Sequence, residues 1–346
     1  MRPFPGRPGR SLVVVLSSAT LAILAREAAA QQGPRLGIEP RGAAGGSLVK
    51  LTIDRLPRHG GQQSPDSVRS VTGTMAGEPL HFRQAGSLSG PRSDELEALA
   101  AVPIDVSDSL VARVEVAHES GAVDTLRLWL KYPHQPPPEM VARARAASGR
   151  GRRLRVDRLF TQRLDSATEA RIERENAMAR DIGHRAQETP QLWAGDFLRP
   201  RAARVTSRFG AGRLFNGRVA SSHLGIDYRG ALGDPIYAAN RGVVALVASF
   251  FLAGNVVYID HGDGIVTGYF HMSEPEVAVG DTVERGQEIG RVGATGRVTG
   301  PHLHWAARFG ALTIDPGDLL RLRPPFVVAE RPSRGRALSS RKHGQH

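Results

Sequence analysis

The sequence predicts a mainly β protein with an N-terminal β-sandwich, a helical linker and a C-terminal glycine-rich antiparallel β-domain. Runs in which apolar and polar residues alternate, such as Ser47–Ile53 and Leu110–Val116, indicate strands that bury one face. Four prolines between residues 133 and 138 interrupt this pattern. From Arg204 onward strand-like runs return in a segment dense in glycine, which predicts a second β-domain.

In the N-terminal half, Val123–Leu130 repeats the alternation, and Gly, Pro, Ser and Asp separate the runs. Short strands with regular turns are typical of a sandwich. The histidines of this half, His59, His81 and His118, are scattered. We therefore expect each of them to have a surface or packing role.

The linker is rich in arginine and contains one helix signal. Ser166 followed by Glu169 has the spacing of a capping box, and good helix formers continue through Ala179. Gly183 is a plausible end for this helix. Because its apolar face is sparse, we expect it to lie on the surface or between the two domains.

In the C-terminal domain, apolar strands at Asn255–Ile259 and Ile265–Tyr269 flank the tetrapeptide His261–Gly264. An Asp-Gly pair between two such strands predicts a hairpin. Residues 277–292 read as a strand, a Gly-Asp turn and a further strand. The domain is therefore expected to be compact and antiparallel.

The two termini differ from the domains. Arg2, Arg7 and Arg10 precede an apolar run, Ser11–Ala25, and three alanines end at Ala30. This order predicts a secretory signal peptide cleaved before Gln31, with an uncleaved anchor as the alternative. The resulting division is a signal peptide over 1–30, a β-sandwich over 31–135, a linker over 136–200, a β-domain over 201–322 and a disordered basic tail over 323–346.

The net charge of +12 is concentrated at the termini. Residues 1–30 carry +3 and residues 331–346 carry +5, so the rest of the chain carries only +4. With few aromatic residues as well, we expect no nucleic-acid binding. The chain has no cysteine, so any transition metal must be held by histidine and carboxylate ligands.

Five of the twelve histidines fall between His223 and His304, and four of them lie in three short patterns. These are His223-Leu-Gly-Ile-Asp227, Tyr269-Phe-His271 and His302-Leu-His304. In a strand, residues two apart share a face, so His302 and His304 would present both rings to one space. Taken alone, this pair fits a metal site and simple packing equally well.

His223 and Asp227 add a nitrogen and an oxygen ligand to this set. Two histidines and one carboxylate are the ligands of a catalytic zinc that keeps one open position. Zinc lowers the pKa of bound water to about 7, while a base and an oxyanion donor are also needed. The patterns contain enough histidines to supply both.

The segment Val205–Leu320, about a third of the chain, resembles the lysostaphin/LytM family of zinc metallopeptidases. Separate motifs occur in the family's order and at its spacing. They are Ser207–Gly210, His223–Tyr228, Gly254–Gly262, Tyr269–Met272, Gly280–Val283, Gly286–Gly290 and Thr295–Trp305.

The resemblance implies one zinc per chain, bound by His223, Asp227 and His304, with His271 and His302 as the catalytic pair. It implies a zinc-dependent endopeptidase that hydrolyses peptide cross-links of peptidoglycan through a metal-activated water. The expected partners are peptidoglycan peptide stems, and the expected location is the periplasm or cell envelope, without stable membrane insertion after signal cleavage. His261 is interpreted as a turn residue outside this set.

Other functions remain as alternatives. Family members that have lost ligands act as non-catalytic, wall-binding regulators of other hydrolases, but this sequence retains every ligand. Lipoyl and biotinyl carrier domains have similar Gly-Asp and Gly-Gln turns but need a lysine, and none lies between Pro200 and Leu322. The N-terminal β-domain either binds a protein partner or covers the groove.

Overall fold

The computed structural model describes residues 34–54, 67–84, 95–133, 138–148, 152–217 and 219–322. The predicted signal peptide at 1–30 and the predicted tail at 323–346 lie outside the described residues. No helix in the described ranges combines the length and the apolar character that crossing a membrane requires.

The N-terminal domain is a sandwich of two four-stranded antiparallel sheets, as the sequence predicts. One sheet has the order β1-β2-β6-β5 and the other β4-β3-β7-β8. Alternate residues of the facing strands fill a shared core that includes Leu51, Ile53 and Val114. The strands β1 to β8 are Arg35–Glu39, Leu48–Asp54, Val68–Met75, Glu78–Pro79, Arg83–Gln84, Leu96–Ala101, Ser109–His118 and Val123–Lys131.

The linker contains two α-helices where the sequence analysis expected one. The additional helix, α1 at Pro138–Ala147, starts with a proline, which is favourable in the first helical turn. Strand β9 at Arg152–Leu154 and a 3₁₀ turn at Arg158–Phe160 follow it. Helix α2 covers Ser166–Glu188.

Both predicted ends of α2 were wrong. Its N-cap is Asp165, whose side chain accepts a hydrogen bond from the backbone of Thr168, so Ser166 is the first helical residue. The helix continues through Gly183, because the glycine serves tertiary packing there instead of ending the helix. A Cβ on Gly183 would collide with the backbone carbonyl of Gly310. As expected, α2 has a sparse apolar face, and it packs Ala179 and Ile182 against the C-terminal sheet.

The C-terminal domain is built on one antiparallel sheet with the path β10-β13-β20-β17-β16-β15-β18, to which β14, β19 and β21 attach. A separate small sheet has the order β12-β11-β9. Strands β10 to β21 are Val205–Ser207, Gly212–Phe215, Val219–Ser222, Ile226–Arg229, Pro235–Tyr237, Gly242–Phe250, Gly254–Gly262, Ile265–Pro275, Thr282–Val283, Glu288–Val292, His302–Phe309 and Leu312–Ile314, and a short helix, α3, covers Pro316–Leu319.

The hairpin between β16 and β17 forms as predicted, with Gly262 opposite Ile265. Gly262, Asp263 and Gly264 all have positive φ, which explains the glycines on both sides of the aspartate. The strand expected at Val277 before the Gly280-Asp281 turn does not form; a two-residue strand, β18, follows the turn, and the further strand forms as β19. Leu303 and Trp305, on the face of β20 opposite to His302 and His304, are fully buried.

The two β-domains pack against each other through apolar contacts, in which Leu48 and Leu99 join the C-terminal core, and through polar contacts. The backbone of Leu48 donates a hydrogen bond to Asp318 Oδ2 (2.9 Å). Glu78 accepts hydrogen bonds from Ala311 N (2.9 Å) and Gln187 Nε2 (3.0 Å). Glu78, Gln187 and Ala311 lie where β20 ends, and Leu48 and Asp318 join the N-terminal domain to α3.

Candidate metal centre

Three adjacent strands carry the predicted site to the opposite end of the C-terminal sheet. Asp227 on β13 lies directly opposite His304 on β20, and Phe270 on β17 lies opposite His304 from the other side. His271 follows Phe270, and His302 begins β20. The period of two along β20 therefore directs His302 and His304 towards the same carboxylate, Asp227.

Three atoms converge at the centre of this cluster. Asp227 Oδ1 lies 2.9 Å from His304 Nδ1 and 3.0 Å from His223 Nε2, and these two nitrogens are 2.9 Å apart. All three residues are buried. The structure thus brings together the three predicted ligands, although they come from distant parts of the sequence.

The backbone partner of His223 determines its tautomer. His223 Nδ1 lies 2.8 Å from the carbonyl oxygen of Arg208, which only accepts, so Nδ1 carries the proton. Its Nε2 therefore presents a lone pair to Asp227 and His304. At most one proton, on His304 Nδ1, is available to three converging atoms, whereas a cation satisfies all of them.

The protonation states are those that a metal ligand needs. Burial lowers the pKa of His223, and it lowers the pKa of His304 to about 4, so both rings are neutral near pH 7. Burial acts to raise the pKa of Asp227, but its close polar interactions with His223 and His304 outweigh that effect and hold the pKa well below its ordinary value. Metal binding requires neutral imidazole and ionised carboxylate.

The residues present fit zinc. Tetrahedral bonds of about 2.0–2.1 Å place donor atoms about 3.3 Å apart, and the observed separations are within a few tenths of an ångström of that value. The second nitrogen of His223 donates to a backbone carbonyl, as metal-bound histidines commonly do. His304 is also stacked on Phe270, with ring centroids 5.2 Å apart.

The catalytic candidates His271 and His302 lie beside the three ligands. His302 Nε2 is 3.7 Å from Asp227 Oδ1, and the rings of His271 and His302 are 4.9 Å apart. Each ring donates Nδ1–H to a backbone carbonyl at 2.8 Å, His271 to Thr295 and His302 to Gly300. Each Nε2 is therefore left with a lone pair when the ring is neutral.

His271 also has an unusual backbone. Its φ is +61°, a left-handed conformation that non-glycine residues seldom adopt. Such a conformation costs on the order of 1–3 kcal/mol and persists where the surrounding structure enforces it. Burial lowers the pKa of His271 well below its ordinary value, and charge on His302 or His304 lowers it further.

Sequence reasoning missed two residues that support the site. Arg213 on β11 forms an ion pair with Asp227 Oδ2, which leaves Oδ1 to face the two imidazoles. Gly225 lies against His304, and a Cβ there would come within 2.7 Å of the ring. Gly225 lies within a recognised motif, but nothing in the sequence marks Arg213, since folding of the β11–β12 hairpin creates its contact.

His261 is not part of the metal cluster, as expected, but it is not a turn residue. It belongs to β16 and is fully buried. Its Nδ1 donates to the carbonyl of Arg241 (2.8 Å), and its Nε2 accepts from Thr267 Oγ1 (2.8 Å). Both nitrogens are satisfied within the protein, so His261 has a structural role.

The comparisons with known proteins support the same segment. Residues 221–316 match the sequence profile of Peptidase family M23. The chain carries a peptidase M23 domain. This match confirms the resemblance seen in the sequence and includes all three candidate ligands and both catalytic candidates.

The chain is similar in sequence to curated proteins with named activities. It is 44% identical over 104 residues to the peptidoglycan DD-endopeptidase ShyC of Vibrio cholerae, which is 30% of this chain and 24% of that protein. It is 38% identical over 109 residues to the DD-carboxypeptidase/endopeptidase Mpg of Neisseria meningitidis serogroup B, which is 32% of this chain and 25% of that protein. The chain thus matches about a quarter of the length of these curated relatives.

A crystal structure assigned to the M23 peptidases, from Pseudomonas aeruginosa, resembles the fold more broadly. It covers 80% of this chain and 94% of its own, with a TM-score of 0.53 and 23% sequence identity. At that identity the likeness concerns the fold alone, and it extends beyond the M23 domain.

Proposed function

We propose that this protein is a zinc-dependent endopeptidase that hydrolyses peptide cross-links of peptidoglycan. The observation that carries the proposal is the buried group of His223, Asp227 and His304, whose donor atoms lie 2.9–3.0 Å apart beside two further histidines. The names of the M23 relatives support peptidoglycan as the substrate. A substrate outside the cytoplasmic membrane also supports export.

In this proposal the three ligands hold one zinc ion per chain. A zinc ion supplies Lewis acidity, which lowers the pKa of water and polarises a peptide carbonyl. Arg213 donates to the second oxygen of Asp227, which would leave Oδ1 as the oxygen available to a metal ion. Buried, neutral His223 and His304 contribute lone pairs without adding positive charge.

His302 is proposed as the general base. Its Nδ1–H is fixed on Gly300, so its Nε2 accepts the proton of the attacking water and later returns it to the leaving amine. His271 has the same tautomer because its Nδ1–H donates to Thr295. Its Nε2 lone pair supports a role in orienting the water rather than in donating to the oxyanion.

The test is digestion of isolated sacculi by the purified protein, followed by chromatography of the released muropeptides. We expect cross-linked dimers to decrease and monomers to increase. A chelator should stop the reaction, and added zinc should restore it. Asp227→Asn is the matched inactive control, because it keeps the size of the side chain but removes the charge.

Two results would overturn the proposal. A wild-type protein that binds zinc and sacculi but releases no fragments would support the wall-binding regulator instead. Activity that persists after zinc has been removed and shown to be absent would exclude the metal mechanism.

A further inference from the structure

Arg297, in the loop between β19 and β20, is a cation without an acidic partner in the part of the chain that the structure describes. Its guanidinium lies over the ring of Phe215, 4.2 Å from the ring centroid. The side chain is partly buried, and burial together with the nearby charge of Arg213 lowers its pKa to about 10. It is therefore a charged group that would gain from an anion.

The neighbouring arginine cannot serve the same purpose. Arg213 is also largely buried, but its guanidinium is committed to Asp227 Oδ2. Arg213 and Phe215 are two residues apart on β11, so their side chains lie on the same face of that strand. The guanidinium of Arg297, stacked on Phe215, is consequently on the side of β11 that faces the metal ligand.

The backbone around Arg297 ties it to the catalytic candidates. Thr295, two residues earlier, provides the carbonyl that accepts the Nδ1–H of His271. Arg297 N donates to the carbonyl of Leu252 (2.9 Å), and Thr295 Oγ1 accepts from Asn255 N (2.9 Å). The loop is thus anchored on both sides, and it holds Arg297 at the border of the site.

We propose that Arg297 is a specificity residue that binds a carboxylate of the substrate next to the scissile peptide bond. A guanidinium fits a carboxylate with two parallel hydrogen bonds, and the contact with the face of Phe215 favours this position of Arg297 before the substrate arrives. The proposal rests on the function proposed above and adds one requirement: the substrate peptide must carry a negative charge near the bond that is cut.

Peptide cross-links can provide this charge from two sources. Where the diamino acid carries a second carboxyl group on the carbon that bears its side-chain amine, a bond made through that amine leaves this carboxylate free beside it. A D-alanine at the end of a stem peptide carries a terminal carboxylate. Both are the same ligand chemistry for Arg297, and amidation removes the charge from either one with little change in size.

The experiment compares three synthetic cross-linked peptides: the free acid, the peptide amidated at the diamino acid, and the peptide amidated at the terminal D-alanine. The values of kcat/KM and of Kd, the latter by calorimetry with the zinc-loaded protein, are measured for each. We expect one amidation to lower kcat/KM and weaken binding by about 10- to 100-fold, the usual worth of a hydrogen bond to a charged group.

Variants assign the effect to Arg297. In the Arg297→Gln variant, kcat/KM and binding of the free-acid peptide should fall to the values of the amidated peptide that the wild type disfavours. The Arg297→Lys variant should retain part of the preference for the free acid. Arg241→Gln is the control, because Arg241 is an exposed arginine paired with Glu284. Zinc content and melting temperature should be checked for each variant, and the lysine variant tests the idea if the glutamine variant does not fold.

The outcomes separate this inference from the proposed function. If no peptide is cleaved but the free acid binds more tightly and Arg297→Gln removes that preference, the function is wrong and the carboxylate subsite is right. If the wild type binds and cleaves all three peptides equally, or if Arg297→Gln keeps the preference, the subsite is wrong whatever the activity.

Discussion

The two ends of the C-terminal sheet both bury polar side chains, but they satisfy them differently. Where β20 ends, Glu78 accepts hydrogen bonds from Ala311 N and Gln187 Nε2, so each donor meets an acceptor. Where β20 begins, Asp227 Oδ1 and His223 Nε2 are both acceptors, and they lie 3.0 Å apart. At the first end the protein itself satisfies the buried polar groups, whereas at the second end a cation would satisfy the facing acceptors.

The buried histidines His261 and His304 show the same difference in their polar partners. Both are buried, and burial lowers the pKa of each to about 4. His261 has a backbone carbonyl and a hydroxyl as partners, while His304 faces Asp227 Oδ1 and the lone pair of His223. The nature of the partners, rather than burial or the pKa, distinguishes the proposed metal ligand His304 from the structural His261.

The largest expected effect tests this distinction directly. His304→Ala removes one of three ligands, so we expect the bound zinc to fall from about one per chain to below half and activity to be lost. His261→Gln should keep its zinc, because its partners belong to the protein interior. Metal analysis of both purified variants checks this, and a His304→Ala protein with full zinc and activity would refute the ligand assignment.

The next effect separates catalysis from metal binding. His271→Ala and His302→Ala leave the three ligands in place, so zinc content and the far-UV circular dichroism spectrum should match the wild type. The rate of sacculus digestion should fall by about 10²–10⁴-fold, the usual worth of positioned acid–base groups. Wild-type rates in both variants would show that these rings are only packing residues.

A third prediction addresses the support of the site. Gly225→Ala places a methyl group within 2.7 Å of the His304 ring and 2.5 Å of the Trp305 carbonyl oxygen, so the ligand must move. We expect zinc affinity to fall by about 10–100-fold, as it does when other residues that position a metal ligand are replaced. The control is Leu224→Ala, since Leu224 is exposed. Competition with a chromogenic chelator measures both, and equal affinities would contradict the prediction.

Regular patterns in the sequence predicted much of this arrangement. The period of two placed His302 and His304 on one face, and the glycines around Asp263 predicted the hairpin. The continuation of α2 through Gly183 could not be predicted, because it depends on Gly310, more than a hundred residues away in sequence. The same holds for Arg213, which meets Asp227 only after β11 and β13 have folded.

The smallest expected effect concerns the end of the C-terminal sheet where β20 ends and Glu78 of the N-terminal domain packs. Glu78→Ala removes the acceptor of the buried hydrogen bond from Gln187 and leaves the partly buried amide of Ala311 without its acceptor. Loss of a buried hydrogen-bond partner costs about 1–3 kcal/mol in the free energy of unfolding. Zinc content and the digestion rate should stay at wild-type values, because the three ligands lie at the other end of the sheet.

The matched control for Glu78→Ala is Glu284→Ala, which removes an exposed carboxylate paired with Arg241. An exposed ion pair contributes about 0–1 kcal/mol, so this variant should be the more stable of the two. Urea unfolding followed by tryptophan fluorescence gives both free energies. If Glu78→Ala instead retained full stability but lost activity, the contacts of Glu78 would be coupled to the metal centre. The two ends of the sheet could then no longer be treated as separate.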